Sequence, residues 1–389
     1  SGAPPTARLS AGCTPRVNRR DGLADLGRHC YDRLKALILA SPPWPRRLSG
    51  PRSLTGPGLG RRGYPEPVAD PQRKVLLDCD PGIDDAFAIV FALGHPGLDL
   101  CGITTVAGNV GVDQATANAL SVCELVGRSD VPVVAGSPVP LLRPSFRESR
   151  LVHGQSGLGG ARLPAPRGGP RGGHAVDFLI ERISSAPGEI TLVATGPLTN
   201  IALAVRRHPP LVRQVADFVI MGGSAGRGNV TPAAEFNIAC DPEAAAIVFG
   251  AGWRVTMAGL DVTLQARATS EVRERMRGLG RLGAELLLPG LGGYGSVAAA
   301  SGGQPVHDLC AVALVAAPGL FRCQPARVEV ETAGRWTSGM TVTEFRAFDG
   351  ERALAGDHNA LVAMSLDETG FWELVMDAYQ QVAQAVPAR

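Results

Sequence analysis

From Gln72 onward the chain alternates two hydrophobic rhythms. Short apolar runs at 74–77, 98–104, 131–135, 190–194, 218–221 and 255–258 have the length and residue types of buried strands. Longer stretches at 86–93, 114–126, 175–184, 200–207 and 242–249 read as helices, and another apolar helix follows Val306-His307-Asp308-Leu309-Cys310. Such alternation predicts an α/β fold, an open, mainly parallel sheet with helices on both faces. In sheets of this kind ligands bind beyond the carboxyl ends of the strands. The polar residues that follow each strand are therefore the place to look for chemistry. Gly and Pro punctuate two long loops, 142–173 and 288–305, each long enough to lie over a site.

Residues 1–72 break the rhythm. They are rich in Arg, Pro, Gly and Ser, as in Pro42-Pro43-Trp44-Pro45-Arg46-Arg47, and only Leu23, Leu26, Cys30, Leu34 and Leu37 keep helical spacing. A solvated, disordered extension is expected there, with one globular domain over 73–389. An Arg-rich leader also resembles an organelle transit peptide, although Asp21, Asp25 and Asp32 count against it.

Composition narrows the classes further. The 389 residues are 45% hydrophobic, enough for a large core, and the net charge of +2 gives no reason to expect a nucleic acid or an anionic membrane as partner. The uncharged stretch 286–306 is broken by Pro289 and several glycines, and 309–321 is too short to span a bilayer. The eight cysteines, Cys13, Cys30, Cys79, Cys101, Cys123, Cys240, Cys310 and Cys323, include no Cys-x-x-Cys pair. That is the usage of reduced, buried thiols, so a cytoplasmic location is expected, or a mitochondrial one if the leader is a transit peptide.

The sharpest feature is Asp78-Cys79-Asp80-Pro81-Gly82-Ile83-Asp84-Asp85, four carboxylates around a Pro-Gly turn between the first strand and the first helix. Acids so close repel one another and raise each other's pKa unless a hard divalent cation holds them ionised. Oxygen ligands of this type favour Ca²⁺ or Mg²⁺. An EF-hand loop is excluded because Pro81-Gly82 breaks its register. An aspartate-dependent phosphatase would need a hydroxyl residue where Gly82 stands. Helix capping accounts for one or two of the acids, but not for four. Polar clusters follow the other strands as well: Thr104 to Asn109, Thr195 to Asn200, and Met221 with Asn229, Glu235 and Asn237. Each alone is an ordinary turn; together, at one end of the sheet, they outline a site.

In series these motifs resemble the inosine-uridine preferring nucleoside hydrolases. The resemblance rests on Asp78 to Asp85, Thr104 to Asn109, His153-Gly154-Gln155-Ser156-Gly157, Thr195 to Asn200, Glu235-Phe236-Asn237, Gly259 to Thr263, His307-Asp308 and Gly339 to Val342, from about Lys74 to Trp372. It implies Ca²⁺-dependent hydrolysis of the N-glycosidic bond of ribonucleosides, in nucleoside catabolism and salvage, by a homodimer or homotetramer. It implies a Ca²⁺ held by Asp80, Asp85, the carbonyl of Thr195 and Asp308. Asp84, Asn109 and Asn237 would hold the 2′ and 3′ hydroxyls, Asn229 and Glu235 the 5′ hydroxyl, and Met221 would line the sugar pocket. His153 and His307 would approach the base, with Asp80 as general base and His307 serving the leaving group. Gln155 stands where many relatives have an acid. The 292–304 stretch is Gly, Ala and Ser with Tyr294 as its one aromatic, so base preference is left open. The alternative is a non-catalytic, Ca²⁺-dependent ribose-binding protein of the same fold, against which the intact Asp80 and His307 argue.

Overall fold

The computed structural model describes residues 72–145, 153–292, 302–346 and 357–386. The N-terminal extension up to residue 71, and Tyr294 with most of the Gly/Ala-rich stretch, lie outside the described residues.

All six expected strands form: β1 (Arg73–Cys79), β2 (Leu98–Thr105), β3 (Val133–Ala135), β4 (Ile190–Ala194), β5 (Asp217–Met221) and β6 (Val255–Ala258). Three more follow, β7 (Phe321–Val330), β8 (Thr341–Glu344) and β9 (Ala360–Leu366), giving a nine-stranded sheet ordered β8-β7-β9-β6-β5-β4-β1-β2-β3. From β9 to β3 every neighbouring pair is parallel, while β7 runs antiparallel to both β9 and β8. The open, mainly parallel sheet is therefore as expected, with an antiparallel edge the sequence reading did not anticipate.

Helices cover both faces: α1 (Ile83–Gly94), α2 (Val112–Leu125), α3 (Ala175–Ser185), α4 (Thr199–Arg207), α5 (Phe236–Cys240), α6 (Pro242–Phe249), α7 (Leu260–Thr263), α8 (Asp308–Ala316) and α9 (Glu368–Ala385). The two-residue pleat sends Val75, Leu77 and Cys79 of β1 into the core under α1, α8 and α9, and Leu76 into the core under α3, α4 and α6. A central strand must be apolar on both sides, which is why this run does not alternate. Among the described residues no helix is long and apolar enough to cross a membrane.

The chain moves outward from β1 through β2 to β3, then returns to lay β4, β5 and β6 on the other side. The order reverses between β1 and β4, and crossovers leaving in opposite directions open a crevice there. Asp78, Asp80 and Thr195 stand at or just beyond the ends of these two strands.

Candidate active site

The acidic turn is buried. Asp78, Asp80 and Asp85 are fully inaccessible and Asp84 and Asp308 nearly so. Asp85 caps the start of α1, its Oδ2 accepting the Gly82 N–H at 3.1 Å, while its Oδ1 accepts the Thr195 hydroxyl at 2.8 Å. Asp80 Oδ2 accepts the Asn109 N–H at 2.6 Å; Asp80 Oδ1 is buried without a hydrogen-bond partner. Glycine is needed around it, since a Cβ at Gly108 would overlap Oδ2 and one at Gly196 would stand 2.8 Å from Oδ1. Asp84 Oδ2 accepts the N–H of His307, and the Asp85 and Asp308 carboxyls are hydrogen-bonded to each other. The turn after β1 and the start of α8 thus converge on one point.

The electrostatics of that point set its chemistry. Burial, reinforced by Asp85, holds Asp80 well above the usual carboxylate range; burial and then Asp85, Asp84 and Asp80 do the same to Asp308. Asp85 is raised mainly by burial. Buried acids clustered in this way are kept ionised by a nearby cation. Among the described residues no group of three or more His, Cys, Asp and Glu side chains is arranged to hold a metal ion by itself. An open set is nonetheless chemically complete if a backbone carbonyl and ligand oxygens supply the rest, as hard cations permit. The unpartnered Asp80 oxygen and the hard, all-oxygen donors fit a divalent ion such as Ca²⁺.

Asn237, Asn109 and Glu235 stand around this cluster. Asn237 donates from Nδ2 to the Thr195 carbonyl at 2.8 Å and to the Met221 carbonyl at 3.1 Å, joining the ends of β4 and β5. Asn109 Nδ2 reaches the Asp80 carbonyl at 3.3 Å and Asp85 Oδ2 at 3.4 Å. Glu235 caps α5: its oxygens accept the N–H groups of Asn237, Ile238 and Gly223 at 3.0, 3.2 and 2.9 Å, and burial raises its pKa against those bonds. Asn229 stands apart from this buried group, exposed on the loop before α5, where its N–H bonds the Ala234 carbonyl.

The two histidines come from separate segments, with His307 immediately before α8. His153 is buried, and its Nδ1 accepts the Ile83 N–H at 3.1 Å, which puts its proton on Nε2. Burial, then the neighbouring His307, push its pKa down to about 4. His307 is partly exposed, with Nδ1 2.8 Å from the Thr263 hydroxyl; burial of the ring, then Arg267, lower it to about 4. Both rings are neutral near neutral pH.

Sequence reasoning gave no role to Asp78 or Asn200. Asp78 Oδ1 accepts from the Thr104 hydroxyl at 2.6 Å and Asn200 Nδ2 at 2.8 Å, and burial lifts its pKa to about 7. Asn200 also donates to the Thr105 carbonyl and accepts the Ser137 N–H. This network ties β1, β2 and the start of α4 beneath the acidic turn. Its members were visible as motif residues, but nothing in a motif says which side faces inward.

The same arrangement has relatives. The description of the inosine-uridine preferring nucleoside hydrolase family matches residues 75–373. An inosine-uridine preferring nucleoside hydrolase of Leishmania major is 44% identical over 314 residues, 80% of this chain and 98% of that protein. The pyrimidine-specific ribonucleoside hydrolase RihA of Citrobacter koseri is 44% identical over 307 residues, 78% of this chain and 96% of that protein. A purine-preferring ribonucleoside hydrolase from Gardnerella vaginalis superposes with a TM-score of 0.74 at 34% identity, covering 80% of this chain and 99% of that structure. The chain belongs to the inosine-uridine preferring nucleoside hydrolase family, hydrolases that act on N-glycosyl compounds.

Proposed function

We propose that this protein hydrolyses the N-glycosidic bond of ribonucleosides to ribose and free base, with Ca²⁺ as its metal, and that residues 73–389 carry the whole activity. The observation that carries the reading is the buried acid cluster at the β1/β4 switch point, where Asp80 keeps one oxygen unpartnered. Asp80, Asp85, Asp308 and the Thr195 carbonyl would hold the ion. When bound, it supplies the positive charge that keeps these acids ionised and gathers oxygen ligands between them.

Cleavage builds positive charge on the sugar and negative charge on the departing base. The buried carboxylates favour the first, and Asp80 would take the proton of the attacking water as general base. Asp84, Asn109 and Asn237 bind ribose hydroxyls, for which the Oδ1 of Asn237 remains available while its Nδ2 is engaged. A 2′-deoxy sugar would leave those groups unpaired and be rejected. Glu235 meets the 5′ hydroxyl only in addition to its three backbone bonds, and Asn229 meets it from the exposed loop. His307, neutral at pH 7, serves the leaving base as an N–H donor, the way a neutral imidazole acts as an electrophile elsewhere. Incubation with inosine, uridine and Ca²⁺, followed by assay for free ribose, tests the reading; absence of ribose from both substrates would overturn it.

A further inference from the structure

Asn118 sits on α2, 3% exposed, and its side chain ends between two loops. Its Nδ2 donates to the Pro81 carbonyl and to the Ser156 carbonyl, each at 2.8 Å, and its Oδ1 accepts from Gln114 Nε2 at 2.8 Å. With both N–H groups and the carbonyl engaged, the amide has one orientation. Pro81 lies inside the acidic turn, and Ser156 lies three residues beyond His153. A parallel link runs from the Ile83 N–H to His153 Nδ1. Gly157 turns at φ +85°, and a Cβ there would stand 2.9 Å from Asn118 Nδ2, so the loop closes onto this amide only with glycine at that position.

We infer that Asn118 is a positioning residue for the hydrolytic site: it clasps the loop of His153 to the acidic turn and so fixes where the imidazole stands relative to the carboxylates. This rests on the ribonucleoside reading, in which His153 faces the base. Only an amide suits the position. A carboxylate would face two carbonyl oxygens, and an apolar side chain would strand both.

The test uses the full chain with Asn118→Asp, nearly isosteric, and Asn118→Ala. Misplacing a group by about 1 Å costs up to about 10²-fold in rate, so kcat on inosine or uridine is expected to fall roughly 10- to 100-fold by the same estimate. Backbone amides of residues 154–161 should exchange hydrogen faster while those of α2 keep their protection. In a His153→Ala background the Asn118→Ala change should cost less than about twofold, since coupled residues are not additive. An equal loss in both backgrounds, or unchanged exchange in the loop, would overturn the assignment. A wild-type protein inactive on every ribonucleoside would overturn the functional reading instead, and the exchange measurement would still decide the clasp.

Discussion

The acid side and the base side of the site are built differently. The acids hang from the ends of central strands, where Asp78, Asn200, Thr195 and Asn237 bond β1, β2, β4 and β5 to one another through buried hydrogen bonds. His153 and His307 stand outside the strands: His153 Nδ1 accepts the Ile83 N–H, while His307, immediately before α8, sets Nδ1 beside the Thr263 hydroxyl and donates its N–H to Asp84 Oδ2. The clustered acids are thus held where the central strands are cross-bonded by buried side chains. In the proposed reading, the groups that meet the variable part of the substrate sit outside the strands, where sequence changes cost least. The relatives' names agree on nucleoside hydrolysis and differ on the base, being pyrimidine-specific, inosine-uridine preferring or non-specific.

The contrast breaks first at the acids. Exhaustive chelation should abolish ribose release, and Asp80→Ala should lower kcat by about 10⁴-fold, the upper range for a general base, with the fold retained by circular dichroism. Chelated protein hydrolysing inosine at its original rate would remove the metal from the site. On the base side, His307→Ala should lower kcat for inosine by about 10²-fold, the lower range for such help, with KM little changed. 4-Nitrophenyl riboside, whose leaving group departs as a stable anion, should lose far less. Equal losses on both substrates would assign His307 to the sugar or the metal.

A pH measurement sharpens the comparison. His153 has a folded pKa near 4 against an ordinary value of 6.5, so above pH 6.5 it is neutral in both states and contributes no pH dependence. As pH falls from 6.5 to 4 the unfolded chain takes up a proton the folded one refuses, and stability declines by up to about 3 kcal/mol. Buried acids with raised values, such as Asp78 near 7, act with the opposite sign. The informative quantity is therefore the difference in denaturant midpoint between wild type and His153→Gln, which should narrow as pH drops through this window. A constant difference would place the ring in a wetter setting. The smallest effect is expected from deleting residues 1–70: activity within about twofold and stability within about 0.5 kcal/mol, since a segment poor in apolar residues adds little to a core. Loss of folding on deletion would make that segment part of the domain.

What was legible in the sequence follows the same division. Strands β1 to β6 and the strand-end polar clusters were readable because central parallel strands are apolar throughout and end abruptly in turn residues. β7 was missed because Arg322, Gln324, Pro325, Arg327 and Glu329 interrupt it. A half-exposed antiparallel strand tolerates those residues, and Pro325 lies in the part of β7 flanked by β9 but not by β8. Helix α1 starts at Ile83 rather than residue 86 because Asp85 caps the Gly82 N–H, drawing two acids into the first turn. The Asn118 and Thr263 contacts could not be read, since each depends on residues far apart in the chain.

The position of β9 has a consequence for how the chain is made. This last strand lies between β6, about a hundred residues earlier, and β7, so the β7–β8 hairpin reaches the sheet only through it. During synthesis β6 remains an open edge until the final strand emerges, and the hairpin waits undocked. A chain cut short before Ala360 would keep every proposed catalytic residue yet present an apolar strand with one open edge, and its fate should be aggregation or degradation rather than weak activity.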